Sequence, residues 1–372
     1  MNIRALIAKQ LLRRIAPHVD VKVILPNGRE LGPDKPNLPT MHIVNENFFN
    51  RLGSDLKIGL GESFMAKEWE ATPDLADVLT PYAEKLLNIV PGWMRKFRKL
   101  FEPFQPKHEE NDLRGSRSNI SRHYDLSNDL FQLFLDETMM YSSANFAGEK
   151  PIWDNFAKAQ IRKIEGILDF AGVKPGMHIL EIGTGWGQLA MQAAYRGAKV
   201  HSITLSKEQK ALADQRIAKA GLANLINVEI RDYRDLKEQY DAVVSVEMIE
   251  AVGEKYWPTY FDAISKHLKS GGRFGLQAIT MPHDRMLASK HAYTWIHKYI
   301  FPGGIIPSRE VIDQYTKRDM KLVDSRPLGP DYGYTLKLWR ERFMQNIEKV
   351  RALDRKSTRL NSSHTDISRM PS

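Results

Sequence analysis

The passage that most restricts how this chain can fold is His178–Gly187. Its first half, His-Ile-Leu-Glu-Ile, is apolar enough for a buried strand. Its second half, Gly-Thr-Gly-Trp-Gly, is a glycine-rich turn, and a helical stretch from Gln188 to Arg196 follows at once. A strand that leads through a tight turn into a helix begins a crossover, and crossovers join parallel strands rather than hairpins. Further apolar runs at Lys199–Thr204, Val228–Ile230, Ala242–Val246 and Arg273–Ala278 alternate with helical segments. The predicted fold is α/β, a Rossmann-like parallel sheet with helices on both faces.

The same turn carries a chemical expectation. Gly183, Gly185 and Gly187 let the backbone take positive φ and approach a ligand closely. Glu181 sets a carboxyl at the end of the strand. A dinucleotide-binding loop more often reads G-x-G-x-x-G, whereas this G-x-G-x-G spacing is the form associated with S-adenosylmethionine, the expected cofactor. A tight turn without a ligand is the plainer alternative. Sheets of this type usually carry an acidic residue after the second strand for ribose hydroxyls. Here that strand ends Ile203-Thr204-Leu205-Ser206. Ser206 and Gln209 read instead as an S-x-x-Q capping box, so Gln209 either caps the helix or faces the ligand beside Thr204. Asp232, after the third strand, is a candidate for the adenine amino group or a solvated loop carboxylate.

The 372 residues include no cysteine, which excludes disulfides, thiolate metal sites and cysteine nucleophiles. No metal is expected. A formal charge of +9 suits an anionic partner. No apolar run approaches the roughly 18 residues of a membrane span. Met1 to Val19 has Ile3, Leu6, Ile7, Leu11 and Ile15 at helical spacing, with Arg4, Lys9, Arg13 and Arg14 between them. Such a helix either opens the first domain or lies on an anionic membrane. It lacks the core and cleavage site of a secretory signal, so a cytoplasmic location is expected.

Residues 1–102 read as a smaller α+β domain, 103–120 as a linker containing Pro103 and Pro106, and 121–353 as the α/β domain. Residues 354–372 stand apart. From Asp354 to His364 they back-translate, codon by codon, to a widely used DNA-sequencing adapter. They are read as a non-native appendage, against the alternative of a natural polar tail, and native residues are expected to continue beyond about Leu353.

Several segments then carry a family resemblance. Tyr124-Asp125-Leu126-Ser127-Asn128-Asp129 and Met140-Tyr141-Ser142-Ser143-Ala144-Asn145-Phe146 resemble the stretch ahead of the cofactor loop in cyclopropane-fatty-acyl-phospholipid synthases. Ser245–Gly253, Leu276–Thr280, Tyr299–Gly304 and Tyr332–Leu336 continue the resemblance in order, and Gly59–Met65 with Trp69 is similar to the family's N-terminal region. The resemblance implies a class I methyltransferase sheet and cofactor contacts from Tyr141 and Ser142. It also implies a reaction in which a cis double bond of a phospholipid acyl chain takes the methyl of S-adenosylmethionine and closes to a cyclopropane. A bound bicarbonate is the implied base, held by the side chains of Ser143, Glu250, Gln277 and Tyr332 and the backbone of Ile279, with Glu250 paired to the Tyr332 hydroxyl. Ser143 stands where the family often has cysteine, and Gln277 where it often has histidine. Relatives that add a methyl branch share most of these motifs.

The substrate implies a membrane surface as partner, with peripheral association. Arg95, Lys96, Arg98 and Lys99 beside Trp93, Phe97 and Phe101 suit an interfacial patch or an ordinary solvated helix face. No nucleic acid is expected, and a homodimer is left open. The competing readings are a methyltransferase acting on a small molecule or RNA, and a lipid-binding protein without catalysis. The sheet of this class has seven strands, the last antiparallel and inserted between the fifth and sixth. The sixth is expected near Leu322–Ser325, with the helix Leu336–Val350 after it. The seventh would lie beyond Leu353, so unpaired strand edges and exposed apolar surface are expected.

Overall fold

A computed structural model describes residues 3–89, 128–290 and 292–353. The Trp93–Phe101 patch, the expected linker, Tyr124–Ser127 and the tail from Asp354 lie outside the described residues. The described residues fall into two units, and a late segment, Ser289–Pro302, belongs with the N-terminal one.

The first unit opens with α1 (Ile3–Ile15), β1 (Lys22–Ile24), β2 (Glu30–Leu31) and β3 (Thr40–Ile43). Then follow α2 (Asn47–Ser54), α3 (Leu56–Met65), β4 (Trp69–Thr72) and α4 (Leu75–Ile89). The sheet order is β2-β1-β3-β4, with β1 and β3 parallel and the outer pairs antiparallel. Val21, Val23 and Leu25 alternate inward as the sequence pattern requires, and pack with Met41, Ile43, Phe48, Phe49 and Trp69. The Pro26-Asn27-Gly28 turn closes β1 onto β2, with Gly28 at φ +77°. Helix α1 does open the domain, burying Ala5 and Ala8, yet Ile3, Leu6 and Ile7 are exposed. Neither α3 nor β4 was expected as an element. Asp55 starts α3 by accepting the Lys57 and Ile58 N–H groups.

The second unit begins with α5 (Asn128–Gln132), α6 (Phe156–Phe170), β5 (His178–Ile182), α7 (Gln188–Tyr195), β6 (Lys199–Thr204) and α8 (Lys207–Lys219). It continues through β7 (Ile226–Ile230), β8 (Tyr240–Val246), α9 (Trp257–His267), β9 (Leu268–Gln277) and α10 (His283–Ser289). The short α11 (Trp295–Tyr299) lies in the segment assigned to the first unit, and α12 (Arg309–Thr316) and α13 (Gly329–Gln345) complete the described elements. The sheet is fully parallel in the order β7-β6-β5-β8-β9. Ile164, Leu168, Leu189, Ala193 and Ile217 from α6, α7 and α8 cover one face. Trp257, Tyr260, Phe261 and Ile264 from α9, with Val311 from α12, cover the other. The chain leaves β5 toward β6 and later returns to β8 on β5's other side. That reversal opens a crevice at the carboxyl ends of these strands.

Two expectations need correction. No strand forms at Leu322–Ser325, where Leu322 and Val323 are exposed. A sixth strand in this topology pairs only with the seventh, and among the described residues the outer edge of β9 has no partner strand. The expected continuous span 121–353 is also interrupted by Ser289–Pro302. In the first unit, the Trp295 ring fits over Gly61, where a Cβ would come within 2.5 Å of it. Glu62 accepts from Lys298 Nζ at 2.5 Å and from the Tyr299 hydroxyl at 2.8 Å.

Gly187, expected at the cofactor, instead sets the entry of α7. Its φ is +85°, and a Cβ there would come 3.3 Å from the Ala213 Cβ of α8. Gly187→Ala is expected to destabilise the fold by about 1–2 kcal/mol through backbone strain, plus a packing loss. Gly221→Ala, at φ +72° in open space, should show the strain alone. Urea unfolding of both variants separates the two contributions.

Candidate active site

The crevice is a cleft of about 1090 Å³, open to solvent. Its floor is the end of β5 and the glycine turn. Gly183, at φ +98°, brings its backbone so close to Met248 that a Cβ would lie 2.6 Å from Cγ. Gly185, at φ +51°, has open space where a side chain would stand. Both require glycine, one for close approach and one for the left-handed turn. Tyr141, Ser142, Glu181, Thr204, Gln209 and Asp232 line the same cleft, so the sequence-derived cofactor residues other than Gly187 converge there.

Glu181 is buried and accepts from Ser202 Oγ at 2.5 Å. The Ser202 hydroxyl also contacts Thr184 Oγ1 at 2.7 Å. Burial pushes the Glu181 carboxyl up to about 8, against the pull of the Ser202 hydrogen bond. The expected capping box is half formed. Ser206 Oγ accepts the Gln209 N–H at 3.1 Å, but the Ser206 N–H goes to Thr204 Oγ1 and the Gln209 side chain accepts from the Thr204 hydroxyl. The Thr204 hydroxyl thus takes the place that a reciprocal cap would use. Asp232 is not a free loop carboxylate. It is buried and receives Arg234 Nε at 2.8 Å and a second guanidinium nitrogen at 2.7 Å. Arg234 lies over the rings of Tyr233 and Tyr256.

The wall opposite the glycine turn is the segment 139–146. Tyr141 stacks on Trp339 with centroids 5.2 Å apart. Gln160 of α6 donates to the Ser142 carbonyl at 2.9 Å, and Lys163, one turn on, donates to Ser142 Oγ at 2.5 Å. Arg216 of α8 donates to the carbonyls of Trp186, Thr138 and Glu137, tying the glycine turn to this wall.

Beyond these cleft residues lies a cluster holding all of the expected catalytic groups. Its centre is Glu247, which the sequence reading passed over. The Glu247 carboxylate accepts the Ser143 N–H at 3.0 Å, Gln277 Nε2 at 2.8 Å and the Tyr332 hydroxyl at 3.0 Å. Tyr332 therefore pairs with Glu247, not with Glu250 as expected. Glu247 sits at φ +51°, a left-handed conformation uncommon for a non-glycine residue and often found where function needs it. Burial pushes its carboxyl up. Glu250 Oε1 accepts the Ile279 N–H, and its Oε2 is buried without a protein partner. Burial, reinforced by the Glu247 charge, pushes Glu250 up to about 8. Gln277 Oε1 is likewise buried and unpartnered, while Ser143 Oγ donates to the Ala144 carbonyl at 3.0 Å. The visible signal was two glutamates three apart in an otherwise apolar run, Val246–Val252.

Residues 111–364 match the mycolic acid cyclopropane synthetase family. The chain is 48% identical over 351 residues to tuberculostearic acid methyltransferase UfaA1 of Mycobacterium tuberculosis, covering 92% of this chain and 81% of that relative. It is 35% identical over 318 residues to cyclopropane-fatty-acyl-phospholipid synthase of Escherichia coli, covering 82% and 76%. Among solved structures it is similar to mycolic acid cyclopropane synthase CmaA1 complexed with SAH and CTAB. That match has a TM-score of 0.57 and 29% identity, over 67% of this chain and 87% of that one.

Glu181 makes stability depend on pH. Its folded value lies above its ordinary 4.5, so the folded state holds a proton that the unfolded state releases first. Its contribution is intact below about pH 4.5 and is lost as pH rises through about 8. Glu181→Gln is expected to flatten that slope, to melt above wild type at alkaline pH, and to bind S-adenosylhomocysteine about tenfold more weakly. Melting curves across pH and calorimetric titration check both halves.

Proposed function

This chain belongs to the mycolic acid cyclopropane synthetase family and is an S-adenosylmethionine-dependent methyltransferase; from that premise we propose that it alkylates the cis double bond of an unsaturated phospholipid acyl chain. The observation that carries the proposal is the half-buried Glu247 on the wall of the cleft, with the Glu250 carboxyl close enough to feel its charge. An alkene is a poor nucleophile, so it reacts only when held against the methyl donor in a dry site. S-adenosylmethionine supplies the electrophilic methyl. The glycine turn with Glu181 and Gln209, and the Tyr141–Ser142 wall, are the residues to hold it. The alkylated chain becomes a carbocation, which the ring of Tyr141 on the cleft wall suits. A proton must then leave, and the carboxylates of Glu247, on the cleft wall, and Glu250 beside it are the groups proposed to accept it.

Bicarbonate does not fit as the base here. An anion needs donors, yet the Gln277 amide, the Tyr332 hydroxyl and the Ser143 N–H all donate to Glu247, and the Ile279 N–H donates to Glu250. The unpartnered atoms, Glu250 Oε2 and Gln277 Oε1, are acceptors. The chain's own carboxylate occupies the place that the family resemblance gave to the anion.

Loss of a proton from the added methyl closes a ring directly; when a 1,2-hydride shift first moves the cation to the methylated carbon, loss of a proton from that methyl leaves a methylene branch. These products are isomers. Ring closure is the first reading. The 48% identity to a tuberculostearic acid methyltransferase favours the second, whose saturation needs two more hydrogens and a separate reductant. A membrane surface is the proposed partner, supported by exposed Ile3, Leu6 and Ile7 beside Arg4 and Arg14 on α1. Among the described residues no helix is long and apolar enough to cross a membrane.

Incubation with unsaturated phospholipid vesicles and S-adenosylmethionine should yield fatty acids heavier by one CH₂. Hydrogenation followed by mass spectrometry separates ring from branch, and absence of any mass gain would reject lipid as the substrate. Depleting bicarbonate should leave the rate unchanged. Glu250→Gln should lower kcat by about 10²–10⁴. The wild-type rate should rise as pH approaches about 8, where Glu250 loses its proton, and the variant should lack that rise.

A further inference from the structure

Lys163 is a charged side chain that the mechanism above leaves unused, and it is 2% exposed. A buried ammonium is costly unless it meets compensating partners. Its hydrogen bond goes to Ser142 Oγ, a residue of the cofactor wall. The next residue, Ser143, gives its N–H to Glu247. One dipeptide is therefore gripped from both sides, by the cation of α6 and by the carboxylate after β8. Gln160, on the same face of α6, fastens the Ser142 carbonyl. The acidic charges that reach Lys163 are Glu247 and Asp136.

We infer that Lys163 is a positioning residue: its ammonium balances the Glu247 carboxylate and, through Ser142, couples the seat of the cofactor to the proton-accepting pair. The inference rests on the role proposed for that pair. The ammonium opposes the upward push of burial on Glu247, and Gln277 and Tyr332 keep pointing their donors at it. Without it, an unbalanced buried carboxylate takes up a proton, and the donors lose their common target. Burial lowers the lysine to about 8, opposed by Glu247 and Asp136. The titratable groups facing this cluster are Glu247, Glu250, Asp136 and Tyr332. Activity should therefore peak near pH 8, rising as Glu250 ionises and falling as Lys163 loses its charge.

The test compares the full chain with Lys163→Met, Ser142→Ala, Glu247→Gln and the Lys163→Met/Glu247→Gln double variant. Three quantities are read: affinity for S-adenosylhomocysteine, methyl transfer against pH, and melting temperature. Lys163→Met should lower kcat about 100-fold and weaken S-adenosylhomocysteine about tenfold. It should also lose the falling alkaline limb. The double variant should melt above Lys163→Met, because neither charge is then left uncompensated. Should Lys163→Met fold poorly, Ser142→Ala keeps the ammonium but cuts its link to the wall, and should still weaken S-adenosylhomocysteine. Additive melting losses, or a Lys163→Met enzyme that keeps the alkaline limb, would overturn the inference. If wild type transfers nothing to lipid while the affinity and melting couplings persist, the substrate proposal fails and the role of Lys163 stands.

Discussion

The site depends on one electrostatic constraint: a half-buried carboxylate at Glu247, satisfied from three separate parts of the chain. Ser143 comes from the wall segment, Gln277 from the end of β9 and Tyr332 from α13. A carboxylate largely removed from solvent is favoured when its lone pairs are filled, so these segments must arrive together to keep the charge. The same demand explains the positive φ at Glu247. The chain must turn sharply at the carboxyl end of β8 to aim this side chain inward, and strain of this kind persists where the surroundings over-determine it.

The parallel sheet supplies the frame. β5, β6 and β8 end at one level, and each hands a different chemistry to the crevice. The glycine turn offers close backbone approach, Thr204 and Gln209 a bonded polar edge, and Glu247 an acidic wall. Arg216 reaches from α8 to three carbonyls on two of the surrounding loops. A rim built from loops thereby gains the rigidity of the helix behind it.

Much of this was legible in the residues. The strands at His178–Ile182 and Lys199–Thr204 stand at the bounds their apolar runs marked, because a strand buried on both faces is a continuous apolar stretch. Other features were hidden for identifiable reasons. Helix α3 carries Gly59 and Gly61, which count against a helix, and only the tertiary structure reveals why they are there: Arg51's carbonyl and the Trp295 ring press against them. The sixth strand failed because its pattern is local while its pairing is not. Glu247 was missed because a family motif draws attention to the residue it shares, and this glutamate earns its place through partners 104, 30 and 85 positions away.

The return of Ser289–Pro302 to the first unit bears on modularity. Glu62 holds Lys298 and Tyr299, and Gly61 makes room for Trp295. The chain therefore enters the first unit twice, and a gene fragment cut at the apparent boundary would carry a loop evolved to dock on something it no longer encodes. Recombination between relatives at that boundary would face the same penalty. The N-terminal unit and the loop at 289–302 must therefore be inherited as a matched pair, and exchanges of substrate range by domain shuffling would succeed only when both pieces travel together.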